Sequence, residues 1–328
     1  MTLLKIKIVN YTGYGNANKL VCRGRVLVDK DTDSLEHDSF LKDFIKSYRR
    51  VGSNEIPYQV LNAKWGGFTK EIKTNSEGFY LLEQKFKDFE PQKRFETFSL
   101  SILKAHKKDT WLKSRINTVG KIMFPPSTAK FGVVSDIDDT ILKSDVLSRF
   151  KLKMFYNALF VKASKRMPIY DANTWYNKLL DGNGKEGNPF FYVSHSPWNL
   201  YTYLNEFLSI NNFPEGPVLL RDFGMNKKDA LQNYKTHKAD EVENILKMYP
   251  KLPFILIGDG GEKDAHIYLK LKEKYPKQIK AIFIRRLGDA KHQAKIEKLS
   301  KGHEEYFFFI KKATEGIAIC EKLGFISE

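Results

Sequence analysis

The rhythm of apolar and polar positions changes near residue 125. Before it, LLKIKIVNY, LVCRGRVLV, YQVLNAKW, FTKEIKT, GFYLLEQKF and FETFSLSIL alternate or run apolar over short stretches, separated by Gly, Asn and Asp, and each predicts a β-strand. TNSEG at 74–78 predicts a turn between two of them. One segment breaks the alternation. In SLEHDSFLKDFIKSYRR the residues Leu41, Phe44, Ile45 and Tyr48 fall at helical spacing, so one amphipathic helix is inserted among the strands. Residues 1–125 are therefore expected to form a small β-sandwich-like domain. Pro125 and Pro126 mark its end, because neither fits a helix interior or a central ladder.

From residue 131 onward strand and helix alternate. FGVVSD, FFYVSH, PVLLRD, FILIGD and AIFIRR read as strands, with helices expected around 198–210, 237–248, 263–274 and 313–322. FGVVS is almost continuously apolar, the pattern of a parallel strand covered on both faces. Residues 126–328 are thus expected to form a doubly wound α/β domain with right-handed crossovers. A small helical cap is expected over about 142–188.

Composition narrows the class without naming it. With 328 residues, 42% hydrophobic and 13% aromatic, the chain has material for packed cores in one large or two moderate domains. Cys22 and Cys320 are its only cysteines and stand near opposite ends, which argues against a disulfide framework or a cysteine-based zinc site and fits a reducing cytoplasm. No leader is expected from MTLLKIKIVNYTGYG, and no window approaches the 18 or so apolar residues of a membrane span. The net charge of +16 is spread over both halves and favours anionic partners: nucleic acid, an anionic bilayer or small phosphorylated molecules. A basic surface kept for solubility has the same composition.

The candidate chemistry lies at the ends of the predicted strands. FGVVSDIDDTI carries Asp136 and Asp138, then Thr140, to the point where a buried strand should stop, and in open α/β sheets ligands bind just past such carboxyl ends. Neighbouring carboxylates repel unless a cation or a shared proton relieves them, and Mg²⁺ is the simplest relief. FFYV leads to Ser194, followed by Ser196 and Pro197, which are expected to be the N-cap and first residue of the next helix. Lys238 opens the expected helix KADEVENILKMY. FILIG leads to Asp259 and Asp264 on either side of a glycine pair, hard oxygen donors that suit Mg²⁺ better than zinc.

DxDxT after one strand, Ser after the second, a Lys, and GDxxxxD after the fourth resemble the four motifs of the haloacid dehalogenase superfamily of phosphohydrolases, in their order. SDIDDTIL, YVSHSPWNLY, LLRDFG, HKADEVENIL, FILIGDGGEKDAHIY and EKLGF look like the actin-patch-associated Mg²⁺-dependent phosphatidate phosphatase family. NYTGYGN, GRVL, YRR and TNSEGFY look like that family's leading β domain, so the resemblance covers nearly the whole chain. It departs at His195, where Asn is usual, and at Gly260, where Ser is usual.

The resemblance implies a haloacid-dehalogenase-like domain and roles for named residues. Asp136 would be the nucleophile and Asp138 the general acid and base. Ser194 and Lys238 would bind phosphate, and Asp136, the main-chain carbonyl of Asp138, Asp259 and Asp264 would hold Mg²⁺. Phosphatidate is the implied substrate. A soluble or nucleic-acid phosphomonoester is the alternative, and a β domain serving as a protein-interaction scaffold with an auxiliary phosphatase is a third reading. The implied location is cytoplasmic with peripheral membrane association, because residues 142–166 mix Leu147, Phe150, Met154 and Phe155 with Arg149, Lys151, Lys153 and Lys162, a composition suited to an anionic lipid surface or to a wet basic cap helix. In liposome flotation the chain is expected to partition onto anionic vesicles over neutral ones, and equal partitioning would remove the membrane reading.

Overall fold

The computed structural model describes residues 5–29, 55–102, 116–137, 168–221, 227–258, 260, 263–285 and 290–327. The helix expected around 34–50 and the basic stretch 142–166 lie outside the described residues. The chain divides into two compact units, Met1–Pro125 and Pro126–Glu328.

The first unit holds eight strands: β1 Lys5–Asn10, β2 Gly13–Gly15, β3 Lys19–Asp29, β4 Val60–Trp65, β5 Phe68–Lys73, β6 Phe79–Lys85, β7 Phe95–Ile102 and β8 Ile116–Met123. Two facing sheets were expected, but one hydrogen-bonded network joins all eight, in the order β1-β3-β2-β8-β7-β4-β5 with β6 on the other edge of β3. The eleven-residue β3 makes this possible, since it pairs with β6 along Lys19–Arg25, with β2 at Leu20 and Val21, and with β1 from Gly24 to Asp29. The sheet curls until its ends approach, and Lys70 Nζ of β5 donates to Glu83 O of β6 at 2.6 Å. Inward residues from nearly every strand, among them Leu20, Leu61, Tyr80, Phe98, Leu100 and Ile122, form one core. Removing each such large side chain from water contributes about 1.5–3 kcal/mol. TNSEG is the expected turn: Asn75 Oδ1 accepts from the amides of Glu77 and Phe79, both at 2.9 Å.

The second unit is built on six parallel strands, β9 Gly132–Asp136, β10 Phe190–Pro197, β11 Val218–Arg221, β12 Phe254–Gly258, β13 Ile279–Arg285 and β14 Phe307–Ile310. Their order is β11-β10-β9-β12-β13-β14, so the strand nearest the N-terminus lies inside the sheet and the order reverses beside it. Every residue of β9 and of β12 is buried, as continuous apolar runs require. The helices are α1 Pro168–Asp181, α2 Tyr201–Ile210, α3 Lys227–Met248, α4 Lys263–Lys274, α5 Ala290–Ser300 and α6 Ala313–Lys322.

Three expectations need correction. First, the part of the expected cap from Pro168 onward is a sheet-packed helix: on α1, Trp175 meets Phe283 at 5.1 Å and Tyr176 meets Phe190 at 5.5 Å between ring centroids. Trp175, Tyr176 and Leu179 are all buried, which a wet cap would not require. Second, Ser196 is not a helix N-cap. β10 runs on through Pro197, a tight turn follows over Trp198–Leu200, and only then does α2 begin. Pro197 is itself extended, with φ −70° and ψ 152°, so it and not Ser196 stands at the start of that turn. Third, α3 starts at Lys227, so Lys238 sits in its interior. The polar run KKDALQNYKTH lacks the apolar stripe that marks a buried helix face.

The start of β9 is tied to the end of α1 by Asn188, which is fully buried. Its Oδ1 accepts from the amides of Lys130 at 2.9 Å and Phe131 at 3.2 Å, and its Nδ2 donates to Leu179 O and Glu186 Oε2, both at 2.9 Å. Gly182 closes α1 with a φ of +58°, and a Cβ there would stand 2.0 Å from Glu186 Oε2, so this bonded loop excludes larger residues. Asn188→Leu deprives four groups of their partner, three of them on the buried residues Phe131, Leu179 and Glu186. It is expected to destabilise the protein by about 3 kcal/mol or more, measured by urea unfolding; a loss below about 1 kcal/mol would show that the tie is dispensable.

Candidate active site

Because β9 lies between β10 and β12, the ends of these three strands are level. Asp136 stands opposite Val193, one residue before Ser194, and Ser135 stands opposite Ile257, one residue before Gly258. This is the crevice that a reversal of strand order opens. α3 and α4 supply the remaining side chains.

Lys238 Nζ donates to Asp136 Oδ1 at 2.9 Å and to Asp264 Oδ1 at 2.5 Å. The lysine side chain is 3% exposed and the two carboxylates 1% and 3%. Burial by itself would pull the ammonium's pKa down, but Asp136 and Asp264 outweigh it and hold Lys238 well above its ordinary value of 10.5. A lysine with a raised folded-state pKa stabilises fully below about pH 10.5, and the contribution is lost only as pH rises through the folded value. The trio is therefore intact throughout the neutral range.

Asp264 is the second residue of α4, where its carboxylate also complements the positive end of the helix. Its position depends on Gly258. A Cβ on Gly258 would lie 2.8 Å from Asp264 Oδ2 and 2.9 Å from Asp264 Cβ, so the carboxylate rests against bare backbone. In the sequence, Gly258 is signalled only as the first residue of GDxxxxD, at the end of an apolar strand.

Ser194 is buried at the end of the neighbouring strand, and its Oγ accepts from the amide of Ser196 at 2.9 Å. Asp138 and Asp259 lie outside the described residues. Of the six candidate residues, the described part thus brings Asp136, Lys238 and Asp264 into direct contact and sets Ser194 one residue beyond the partner of Asp136. Among the described residues no group of three His, Cys, Asp or Glu converges, but two hard oxygen donors side by side suit a hard divalent cation in donor type.

The surroundings are positive. His195 is pushed down to about 3, first by burial and then by Lys238, His237, Arg221 and Lys263, so its ring is neutral at physiological pH. The rings of His195 and His237 lie 6.2 Å apart. Each follows or precedes a candidate phosphate-binding residue, Ser194 and Lys238. Arg221, buried at the tip of β11 opposite Pro197, joins this field, which the sequence signalled only as a charged residue ending PVLL.

Removing the ammonium leaves two buried carboxylates facing one another. Lys238→Met is expected to destabilise the protein by about 3 kcal/mol at neutral pH, because it leaves buried charge without its counterion. Urea unfolding of both proteins checks it, and a loss below about 1 kcal/mol would mean that carboxylate repulsion is not what Lys238 relieves.

Residues 131–286 match the family model described as the catalytic domain of phosphatidate phosphatase APP1. The Saccharomyces cerevisiae protein named phosphatidate phosphatase APP1 is 37% identical over 155 residues, which cover 47% of this chain and 25% of that protein. An uncharacterized Schizosaccharomyces pombe protein is 23% identical over 215 residues, covering 65% of this chain and 34% of the other. The chain thus spans between a quarter and about a third of the length of these curated relatives. A solved carbohydrate acetylesterase from Xanthomonas citri aligns over 92% of this chain and 66% of its own at 8% identity, with a TM-score of 0.29 that supports no argument about fold. The family match spans Asp136, Ser194, Lys238 and Asp264, and over residues 131–286 this chain is similar to the catalytic domain of phosphatidate phosphatase APP1.

Proposed function

We propose that the unit from Pro126 is a Mg²⁺-dependent phosphomonoester hydrolase of haloacid-dehalogenase-like type, with phosphatidate as its substrate and diacylglycerol as its product. The observation that carries this reading is the contact of Lys238 with both Asp136 and Asp264, which draws side chains from a strand end and two helices to one buried point. That point lies where the strand order reverses, the crevice in which open α/β sheets bind ligands. The strand order supports a doubly wound domain, and the name of the yeast relative supports the substrate.

In the proposed reaction an Asp136 oxygen attacks phosphorus, forming an O–P bond as the ester O–P bond breaks, and Asp138 gives its proton to the departing alkoxide. Water then attacks the aspartyl-phosphate, Asp138 takes up the water's proton, and inorganic phosphate leaves with Asp136 restored. Lys238 keeps the nucleophile's charge offset while a dianionic phosphate approaches, and Ser194 and Lys238 hold its non-bridging oxygens. Lys238, Arg221 and Lys263, the basic groups around the neutral His195, give the field that draws the phosphate in.

The described donors fit Mg²⁺ in kind. Asp136 and Asp264 offer hard carboxylate oxygens and carry one negative charge more than Lys238 cancels; Asp259 and the Asp138 carbonyl would complete the set. When bound, the ion supplies charge neutralisation for the nucleophile and the phosphate together.

Asp136→Asn is expected to abolish turnover while the far-UV spectrum and the unfolding midpoint stay close to those of the unaltered protein. EDTA should stop the reaction and added Mg²⁺ restore it. Both are measured as phosphate release from phosphatidate in mixed micelles, beside an aryl phosphate and a 5′-phosphorylated oligonucleotide. Retained turnover in Asp136→Asn would place the attacking group elsewhere, and faster hydrolysis of the oligonucleotide or the aryl phosphate would replace the lipid as substrate.

A further inference from the structure

Two hydroxyl groups lie directly behind the candidate nucleophile and take no part in the chemistry described above. Ser135 is fully buried in β9, and Tyr176 on α1 is 1% exposed. Ser135 Oγ donates to the main-chain oxygen of Asp136 at 2.8 Å and lies 2.7 Å from Tyr176 Oη. A serine hydroxyl has one proton, and here a carbonyl receives it. The proton between Ser135 and Tyr176 must then come from the tyrosine. The chain of donation runs from Tyr176 Oη to Ser135 Oγ to the Asp136 carbonyl.

That direction matters for where the backbone goes. Successive side chains of a strand point to opposite faces, so Ser135 meets α1 on one face of the sheet while Asp136 meets Lys238 of α3 on the other. Fixing the Asp136 carbonyl fixes the planar trans peptide that follows it, and so sends the Ile137 amide the opposite way from the carbonyl. This peptide leads out of the end of β9. The tyrosine is itself held by rings: Trp175 at 5.7 Å, Phe213 at 5.4 Å and Phe190 at 5.5 Å between centroids. Burial raises its phenol far above the ordinary range, so the hydroxyl remains a donor at every working pH.

We propose that Tyr176 and Ser135 form a hydroxyl relay that positions the main chain of Asp136, making Tyr176 a positioning residue for the nucleophile although it touches neither substrate nor cation. The proposal rests on the reading of Asp136 as nucleophile and adds a function for the helix expected to be a cap. It separates two tasks on one strand: Lys238 sets the carboxylate, and the relay sets the peptide behind it.

The test uses the full chain with Tyr176→Phe, Ser135→Ala and the double variant. Tyr176→Phe keeps the ring and its neighbours and deletes one hydroxyl. Each single variant is expected to lower kcat about 5- to 20-fold with KM, and inhibition by inorganic phosphate, unchanged, since a misaligned attack affects turnover more than binding. Because both hydroxyls serve one chain of bonds, the double variant should lose little more than Ser135→Ala alone. Hydrogen exchange of the segment 131–137 gives a readout without substrate: it should quicken about fivefold or more, to the same extent in all three variants.

An unchanged kcat and unchanged exchange in Tyr176→Phe would overturn the relay. So would losses that multiply in the double variant, or a kcat that falls only in step with the folded fraction, because packing would account for either. Should one single variant fail to fold, the exchange and kinetics of the other decide the matter by the same criteria. Asp136→Asn bears on the nucleophile alone: turnover surviving there would sink the phosphatase mechanism, while the exchange result would still judge the relay.

Discussion

A buried ammonium held between two buried carboxylates organises the second unit where its strand order reverses. Desolvating three ionisable groups costs several kcal/mol each, and their mutual attraction offsets this only when the geometry is tight. The contacts of Lys238 with Asp136 and Asp264 meet that condition. Such a trio is weak evidence of stability for its own sake, because an apolar replacement of similar volume would often serve a fold equally well. Its place at the point where the strand order reverses makes sense if the charges are there to work on a ligand.

The rest of the unit can be understood as what holds those three side chains in register. β9 sets the height of Asp136, and Asn188 ties the start of that strand to the end of α1. Gly258 leaves room for the Asp264 carboxylate against the tip of β12. α3 is long enough to carry Lys238 well past its first turns into the buried layer. A single methyl group at Gly258 would meet the carboxylate directly, so the site depends on backbone bareness at one position as much as on charge at three.

The field around the site has one sign. Burial above all, and then Lys238, His237, Arg221 and Lys263, oppose protonation of His195, so a side chain that ordinarily titrates near neutrality stays uncharged. In the proposed reaction this gives a polar wall that does not compete with Lys238 for the phosphate's charge. The chain's overall excess of +16 extends the attraction to long range without selecting among anions, and selection is left to the groups at the strand ends. Among the described residues no helix is long and apolar enough to cross a membrane.

Period and punctuation alone located most strands of both units, because an apolar run flanked by Gly, Asn or Asp is a local signal. They missed β2 and β8, short or weakly alternating segments; Val119 of β8 even faces outward at 66% exposed. They missed β14 and α5, and misread α1 as a cap, because Trp175 and Tyr176 declare themselves core residues only once Phe190 and Phe283 are beside them. The residue types and order of Asp136, Ser194, Lys238 and Asp264 were legible in the chain, since chemistry demands particular side chains and strand ends are where a parallel sheet presents them. That Lys238 bridges Asp136 and Asp264, that Gly258 makes room for one of them, and that Tyr176 reaches Ser135 were decided by tertiary structure. These contacts join residues up to 102 positions apart, and no local pattern encodes the distance between two side chains that meet only when the sheet and its helices close.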